Sequence, residues 1–336
     1  MTISRFSESI PHLQKALDIA RQFGDKRGIA AAVGYMAVSH SFTGDFDACV
    51  RESRESASLA REVGNQYLLV STFHWLLLGF AGRGEYDDAL KALDELSNGA
   101  REIGNKHLVA MVPNHYGWIY NELCNFERAA EYDKEGVGLT QRYEDPECEV
   151  FSLLNLVRAY IGLGDYARAQ QYLDEVKYKR ELKWYMVRRW RYDMHVTRYE
   201  SMLSMIRGEH ERALKYADET LAQGERTGAK KYIGIGCELK GEVLMGLERF
   251  DEALECLVKA RDLGDQMGYP PLRWKTRYLL GQVHKAQGRI GQAKEELQNA
   301  AAVIEKMASK VSDKEVKETF LSSESVRDVY TELRAL

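Results

Sequence analysis

The chain has 336 residues, of which 45% are hydrophobic and 29% are charged; this balance is typical of a folded protein and excludes a disordered one. The formal net charge of -4 gives no general attraction to nucleic acid, and no apolar run approaches the roughly 20 residues that a membrane-spanning helix needs. The first residues lack the layout of a secretory signal, and the five cysteines form no Cys-x-x-Cys pair. We therefore expect a cytoplasmic protein with neither a disulfide framework nor a zinc site.

A short pattern recurs seven times along the chain: a glycine, an aromatic residue two positions later, and an alanine three positions after that. The copies, some of them imperfect, begin at Gly44, Gly84, Cys124, Gly164, Gly208, Glu248 and Gly288, so their starts are 40, 40, 40, 44, 40 and 40 residues apart. Such regularity is the signature of stacked structural units. The sequence therefore predicts one elongated solenoid in place of two or three globular domains.

Each unit is predicted to be a pair of antiparallel helices, A and B, with the glycine at the turn between them. Glycine tolerates the left-handed conformation that ends helix A, and the Asp, Glu or Asn that often follows it favours the start of helix B. The aromatic residue is expected to pack against the neighbouring unit, and the small residue allows two helices to cross closely. Pro113 falls inside helix A of the third unit and is expected to bend or restart it.

The order of the units predicts three parts of the chain. Residues 1–26 align with helix B of the next unit and form a partial repeat, residues 27–310 hold seven repeats, and residues 311–336 form C-terminal capping helices. Ser312 and Glu315 have the spacing of a capping box at the start of the last part. Because the chain begins in mid-repeat, we expect that it was cut from a longer protein and that its exposed N-terminal edge favours self-association.

The repeat core, together with Gly117 and Tyr120 in the third unit and Gly241 and Gly281 later in the chain, resembles the tetratricopeptide repeat, whose usual unit is about 34 residues. The resemblance implies an all-α fold, a right-handed α-α superhelix of helix pairs. The longer unit of about 40 residues is similar to the variant in the sensor region of bacterial signal-transduction ATPases of the maltose-activator type. The resemblance thus implies the sensor part of a larger bacterial signalling regulator.

In this family the concave wall is made mainly by A helices and is the usual binding surface. The groove positions of the family pattern correspond here to His74, Asn114, Trp118, Asn121, Arg158, Arg198 and Glu238. An aromatic anchor with amide and guanidinium groups suits a small polar ligand or a protein segment. Trp118 is equally compatible with core packing, whereas Asn114, Asn121 and Arg158 are costly to bury without partners. The positions of the family's carboxylate clamp hold Leu154, Trp118 and Arg158, which argues against binding of chaperone tails.

A second candidate site is the basic and aromatic stretch from residue 177 to residue 192, which coincides with the 44-residue interval. Its predicted anion-binding residues are Lys179, Arg180, Lys183, Arg188, Arg189 and Arg191. Charge combined with aromatic stacking suits a phosphate, an anionic partner or a single-stranded nucleic acid. The alternative is a solvated basic face with the aromatic residues turned inward. The rest of the chain carries no basic stripe, which disfavours nucleic acid as the partner.

The sequence gives no basis for catalysis or for a bound cofactor. The eight histidines are dispersed, and the chain has no phosphate-binding loop, no nucleophile elbow and no cluster with metal-ligand spacing. We therefore predict a non-enzymatic interaction domain, without metal or cofactor, that binds a protein segment or a small polar ligand in its groove. The alternative prediction is a scaffold that holds two proteins together through its convex or terminal surfaces.

Overall fold

A computed structural model describes residues 6–181 and 189–336 of the chain. The regular structure of these residues is entirely helical, and no helix among them combines the length and apolar character that crossing a bilayer requires. The helices are α1 (Phe6–Gln22), α2 (Lys26–Thr43), α3 (Phe46–Glu62), α4 (Gln66–Gly82), α5 (Tyr86–Glu102), α6 (Lys106–Glu122), α7 (Phe126–Tyr143), α8 (Pro146–Gly162), α9 (Tyr166–Glu181), α10 (Arg189–Ile206), α11 (His210–Thr227), α12 (Lys230–Gly246), α13 (Phe250–Met267), α14 (Pro270–Ala286), α15 (Ile290–Ser309), α16 (Lys314–Ser322) and α17 (Glu324–Ala335).

Consecutive helices pack as pairs whose turns follow the repeated glycine pattern. A positive φ occurs at all seven predicted turn positions, including the non-glycine residues Cys124 (55°) and Glu248 (58°). At three of these turns the next residue, Asp45, Asn125 or Asp165, caps the following helix; Asn125, for example, accepts the backbone N–H of Arg128 at 3.3 Å. The predicted all-α fold, a right-handed α-α superhelix of helix pairs, is confirmed.

The aromatic residue after each turn packs onto the next A helix where that helix ends in glycine. A Cβ atom on Gly82 would lie 2.2 Å from the ring of Phe46, and a Cβ on Gly162 would lie 2.5 Å from the ring of Phe126. The contact weakens later in the chain, since Tyr166 is 45% exposed. The expectation that this position is packed throughout is therefore wrong at Tyr166, which lies beside the longer unit, and at Ile290 of the last repeat, which is 46% exposed.

The superhelix winds far enough for its first repeats to contact its last ones. Phe46 of α3 packs against Met267 and Tyr269, and the ammonium group of Lys310 donates to the carbonyl oxygen of Arg83 at 3.3 Å. We call this junction the seam; it is formed by Phe46 and Arg83 on one side and by Met267, Tyr269 and Lys310 on the other. The seam turns an open groove into a ring of helix pairs.

The C-terminal helices extend the same junction, and the predicted capping box is not formed. Asp313 caps α16 by accepting the backbone N–H of Val316 at 3.1 Å. The neighbouring Ser312 instead donates its backbone N–H to Asp87 at 3.0 Å, across the ring. The prediction of Ser312 as the cap is therefore wrong by one residue, because a contact with a distant repeat engages that residue.

Helix α6 continues without a break through Pro113. The proline is buried, and Gly136 of α7 leaves room for it, since a Cβ atom on Gly136 would lie 3.4 Å from the Cβ of Pro113. The expected restart of the helix at this residue is therefore wrong. The neighbouring helix accommodates the ring, and α6 reaches the interior of the protein as one element.

Candidate functional site

A central cavity lies on the concave side of the superhelix. It contains about 1230 Å³ of empty space, counted together with its opening to solvent. Every A helix contributes to its wall: α2, α4, α6, α8, α10, α12 and α14. Residues that are more than 200 positions apart in the sequence, such as Ser41 and Lys275, therefore face the same space.

The cavity brings together most of the residues that the sequence singles out as groove positions. Six of the seven line it: Asn114, Trp118, Asn121, Arg158, Arg198 and Glu238. The seventh, His74, lies behind this layer, with its ring 4.7 Å from the ring of the lining residue His115. Their convergence is an observation, whereas their contact with a ligand stays a prediction.

The asparagines of the cavity wall also bind one another and a buried carboxylate. The amide nitrogen of Asn155 donates to the carbonyl oxygen of Asn114 at 2.8 Å and to Asp133 Oδ1 at 3.1 Å. The amide nitrogen of Asn121 donates to the carbonyl oxygen of Asn155 at 3.2 Å. These asparagines therefore hold α6, α7 and α8 together, in addition to any contact with a ligand.

Asp133 is fully buried under this amide cluster, and burial raises the pKa of its carboxyl group well above its ordinary value. Gly117 makes room for it, since a Cβ atom there would lie 1.8 Å from Asp133 Oδ2. The sequence analysis missed this residue. A signal was present, because four of the six other repeats have leucine at the equivalent position, namely Leu93, Leu173, Leu257 and Leu297, and none of the six has a charged residue there.

We expect Asp133→Asn to change how stability depends on pH. Because the pKa of Asp133 is raised in the folded state, the contribution of this group to stability is lost as the pH rises above about 4, where the carboxyl ionises in the unfolded chain. Asparagine does not titrate, so the variant should gain free energy of unfolding relative to the wild type between pH 4.5 and 7, by up to about 1.4 kcal/mol per pH unit. Urea unfolding at several pH values measures this difference, with Asp328→Asn, an exposed position, as the control. A difference that is constant with pH would contradict the prediction.

Glu122 is an acceptor for residues from both ends of the ring. Its carboxylate accepts the indole N–H of Trp118 at 2.9 Å and the hydroxyl groups of Tyr86 and Tyr269. Lys231 lies 3.4 Å from the same carboxylate, and its ammonium group is 4.2 Å from the centre of the Tyr269 ring. Glu122 therefore links α5 and α6 to α12 and α14 across the cavity.

Four further cations line the cavity without a carboxylate partner among the described residues: Arg158, Arg191, Arg198 and Lys275. Each instead lies over an aromatic ring at 4.8 to 5.9 Å, the four rings being Phe126, Phe151, Tyr199 and Trp274. A ring face attracts a cation but leaves its N–H donors available. The cavity wall therefore offers unsatisfied hydrogen-bond donors.

The electrostatics of the wall reflect this excess of positive charge. Burial lowers the pKa of Arg158, and the neighbouring Arg198 lowers it further. Burial and then the positive charge of Arg158 lower the pKa of Lys275. Burial lowers the pKa of His195 well below its ordinary value, and Arg191 adds to the effect, so this imidazole is neutral.

Glu238 is the acidic member of the wall that faces these cations. Burial raises its pKa to about 7, and the hydroxyl group of Thr276 donates to its Oε2 at 3.0 Å. Glu242 lies one turn further along α12 and is exposed to solvent. Near neutral pH the two carboxyl groups therefore compensate the cations only in part.

The predicted basic stretch is divided in the structure. Lys179 pairs with Glu149 at 3.0 Å, and Arg189 pairs with Asp193 at 3.5 Å. Arg191 lines the central cavity. The side chains of Arg180, Lys183 and Arg188 lie outside the described residues. A continuous anion-binding patch on this stretch stays a prediction, and one of its members belongs to the cavity.

One group of potential metal ligands occurs among the described residues: His107, Asp145 and Cys148. Asp145 caps α8 by accepting the backbone N–H of Cys148 at 3.1 Å and pairs with His107 Nδ1 at 2.6 Å. Burial opposes ionisation of Asp145, but these hydrogen bonds lower its pKa overall. Helix capping and the histidine contact account for the cluster, and the positive end of α8 disfavours a cation there.

Two residues of the cavity wall, Lys231 and Lys275, do not appear among the groove positions taken from the sequence. Lys275 lies 13 positions before the turn glycine Gly288, which is a groove spacing, so the pattern extended to the last repeat would have found it. Lys231 lies outside these spacings, because the ring brings the start of α12 against α6. Only the closed superhelix reveals its position.

Comparison with family models identifies the repeat type. Tetratricopeptide-repeat models match residues 152–178 and 274–299. A model described as anaphase-promoting complex subunit 5 matches residues 1–83, about a quarter of the chain. No curated protein is significantly similar to the chain in sequence.

Comparison with solved structures identifies the architecture. A Rap protein complexed with competence and sporulation factor aligns over 99% of this chain and 98% of that chain, with 10% identity and a TM-score of 0.58. A signal-transduction ATPase with a tetratricopeptide-repeat sensor from Pyrococcus horikoshii aligns over 95% of this chain and 48% of that chain, with 14% identity and a TM-score of 0.49. A tetratricopeptide-repeat protein from Parabacteroides merdae aligns over 90% and 98%, with 16% identity and a TM-score of 0.42.

The resemblance to the tetratricopeptide repeat is confirmed by the matched repeats and by the helical architecture. The protein is a tetratricopeptide-like helical repeat protein, a fold suited to interaction with other proteins. Such repeats generally serve as non-catalytic interaction scaffolds.

Proposed function

We propose that the protein is a non-enzymatic interaction domain that binds a short peptide segment in its central cavity. The observation that carries the proposal is the convergence of six predicted groove residues, from four different helices, on one cavity. The Rap structure with the same architecture is a complex with competence and sporulation factor, which is consistent with a ligand-binding role for this fold.

The lining of the cavity favours a peptide over a small polar ligand. The wall combines apolar side chains, among them Phe42, Phe151 and Ile235, with amides and cations. Alternating apolar and polar contacts suit a peptide, which presents both backbone groups and side chains.

The same lining supports a role without catalysis. Ser41 is the serine of the described wall, and its hydroxyl group donates to the backbone carbonyl oxygen of Val38 at 2.6 Å rather than to a basic side chain. We propose further that the domain senses its ligand for a larger bacterial regulator in the cytoplasm. This part of the proposal is supported by the similarity of the 40-residue repeat to the sensor region of bacterial signal-transduction ATPases.

The proposal predicts that filling the cavity abolishes peptide binding. Leu78 lines the cavity, so Leu78→Trp would place an indole in the ligand space. Leu163→Trp makes the same change at a site that is 37% exposed and outside the cavity lining, and serves as the matched control. Native mass spectrometry with a random pentapeptide library should show complexes for the wild type and for Leu163→Trp, and none for Leu78→Trp. Peptides that bind all three proteins equally would contradict the proposal.

A scaffold function is the second candidate, and exposed apolar residues near the N-terminus favour it. Ile19 is 57% exposed and Phe23 is 77% exposed, both on or beside α1. Such residues suit self-association or the docking of a protein partner. Light scattering of the wild type and of Ile19→Ser/Phe23→Ser distinguishes these cases: a mass that falls to the monomer in the double variant supports self-association, and a monomeric wild type excludes it.

A further inference from the structure

We infer that the occupant of the central cavity presents an anionic group, a carboxylate or a phosphate, to Arg158, Arg198 and Lys275. This inference rests on the proposed function and deepens it by naming the chemistry of the ligand. It differs from the predicted patch on the stretch from residue 177 to residue 192, because these three cations lie outside that stretch.

The first support is the charge balance of the cavity wall. Five cations line it, namely Arg158, Arg191, Arg198, Lys231 and Lys275, but only two carboxylates, Glu122 and Glu238. Glu122 is engaged by Lys231. The remaining four cations share the wall with Glu238 alone, and Glu242 lies one turn away on α12, so positive charge exceeds negative charge even when both of these carboxyl groups are ionised. An anionic ligand would remove this imbalance.

The second support is that the three cations converge from separate helices. Arg158 lies on α8, Arg198 on α10 and Lys275 on α14, and all three line one space. Burial lowers the pKa of Arg158 and of Lys275, and a neighbouring cation of the wall lowers each further: Arg198 acts on Arg158, and Arg158 acts on Lys275. Side chains that repel one another would point apart into solvent if they were free to do so. Here the ring of helices directs them towards a common space.

The third support is that their donors have no acceptor in the described protein. Phe126 lies 5.3 Å from the guanidinium of Arg158, and Trp274 lies 5.4 Å from the ammonium of Lys275. These rings hold the side chains from the side but accept no strong hydrogen bond. A guanidinium group binds a carboxylate or phosphate through two parallel hydrogen bonds, which are among the strongest in proteins.

Arg191 provides a contrast within the same wall. Its guanidinium lies 4.8 Å from the ring of Phe151, and its Nε is buried without a hydrogen-bond partner. Its positive charge lowers the pKa of the neutral His195 beside it. We assign Arg191 to the positive potential of the cavity, and the direct contacts to Arg158, Arg198 and Lys275.

The inference predicts that acidic ligands bind through these side chains. Four probes are titrated into the purified chain and followed by native mass spectrometry and thermal unfolding: inorganic phosphate, succinate, and two pools of end-blocked pentapeptides that differ only in Asp and Glu versus Asn and Gln. The acidic peptides should bind at least about 100-fold more tightly than their amide counterparts, as expected for a buried hydrogen-bonded charge pair. Arg158→Gln/Arg198→Gln should abolish this preference.

Matched variants separate loss of binding from loss of folding. Arg101→Gln/Arg327→Gln changes two exposed arginines and should leave binding unchanged. Because Arg158 and Arg198 have no ion-pair partner among the described residues, their replacement should not lower the melting temperature. If the double variant nevertheless has a lower melting temperature, Lys275→Gln is tested in its place. This variant should weaken the binding of the acidic peptide pool and leave the binding of the amide pool unchanged.

The outcomes distinguish the inference from the proposed function. If both peptide pools bind equally and Leu78→Trp abolishes both, the cavity binds peptides and the anionic preference is wrong. If phosphate or succinate binds through the arginines but no peptide does, the anionic site stands and the peptide proposal fails. If no probe binds, or if acidic probes bind the double variant as tightly as the wild type, the inference is overturned.

Discussion

Replacing Glu122 by alanine is expected to destabilise the protein by about 3 to 5 kcal/mol and to open the ring. The Glu122 side chain is 9% exposed and accepts hydrogen bonds from Trp118 and Tyr269. Its loss would leave Lys231, which is 14% exposed, as a buried charge without its carboxylate. Urea unfolding measures the loss of stability, and small-angle scattering measures the radius of gyration, which should increase.

The matched control for this prediction is Glu225→Ala, which also removes a carboxylate from an ion pair. Glu225 lies 2.9 Å from Lys259, but it is 49% exposed, so the pair is weakened by solvent and its loss should have a small effect. Glu122→Gln keeps an acceptor for the indole and the hydroxyl groups, so its loss of stability should lie between those of Glu122→Ala and Glu225→Ala. Equal unfolding midpoints for Glu122→Ala and Glu225→Ala would show that the link across the cavity does not contribute to the stability of the protein.

Gly117→Ala should destabilise the protein by about 3 kcal/mol or more, although alanine is the better helix former. Its Cβ atom would lie 1.8 Å from Asp133 Oδ2, and Asp133 is fully buried. The carboxylate has no free space to move into, so α6 and α7 must separate. The shift would also displace Asn155, whose amide donates to Asp133 and to the carbonyl oxygen of Asn114, and both asparagines line the cavity. Thermal and urea unfolding measure the effect.

Two further variants test whether the clash with Asp133 is the cause. Gly138→Ala introduces the same side chain in α7, where no atom lies within 4 Å, and should stabilise the helix by up to about 1 kcal/mol. In Gly117→Ala/Asp133→Ala the clashing carboxylate is absent, so the double variant should be more stable than the sum of the single effects indicates. Simple additivity would show that Gly117 is required for another reason.

The architecture is predictable from the sequence because the same residues meet the same constraints in each repeat. Every turn needs a left-handed residue, and the seven turn positions, including Cys124 and Glu248, all have a positive φ. The closure of the ring is not predictable in this way. It depends on contacts such as that of Asp87 with Ser312, whose separation of 225 residues has no counterpart in the repeat pattern.

The candidate site is predictable to the extent that it follows the repeat. Arg158 and Arg198 lie at groove spacings and line the cavity. Glu122 also lies at a groove spacing, two positions before its turn, where three other repeats have glycine. Asp133 departs from the repeat instead, because four of the other repeats have leucine at its position. A polar residue in an otherwise apolar or glycine position carries information that a search for the repeat itself discards. Lys231 required the structure, because the ring alone brings it to α6.

The seam has a mechanical consequence for a repeat protein. A solenoid with free ends bends like a spring, since small rotations between neighbouring repeats add up along its length. In this protein the ends are fastened, for example by Lys310 on Arg83 and by Ser312 on Asp87. The ring cannot change its curvature by degrees while those contacts hold. A response to a ligand would therefore be abrupt, and its threshold would be set by the strength of a few fastening contacts rather than by the stiffness of the whole coil.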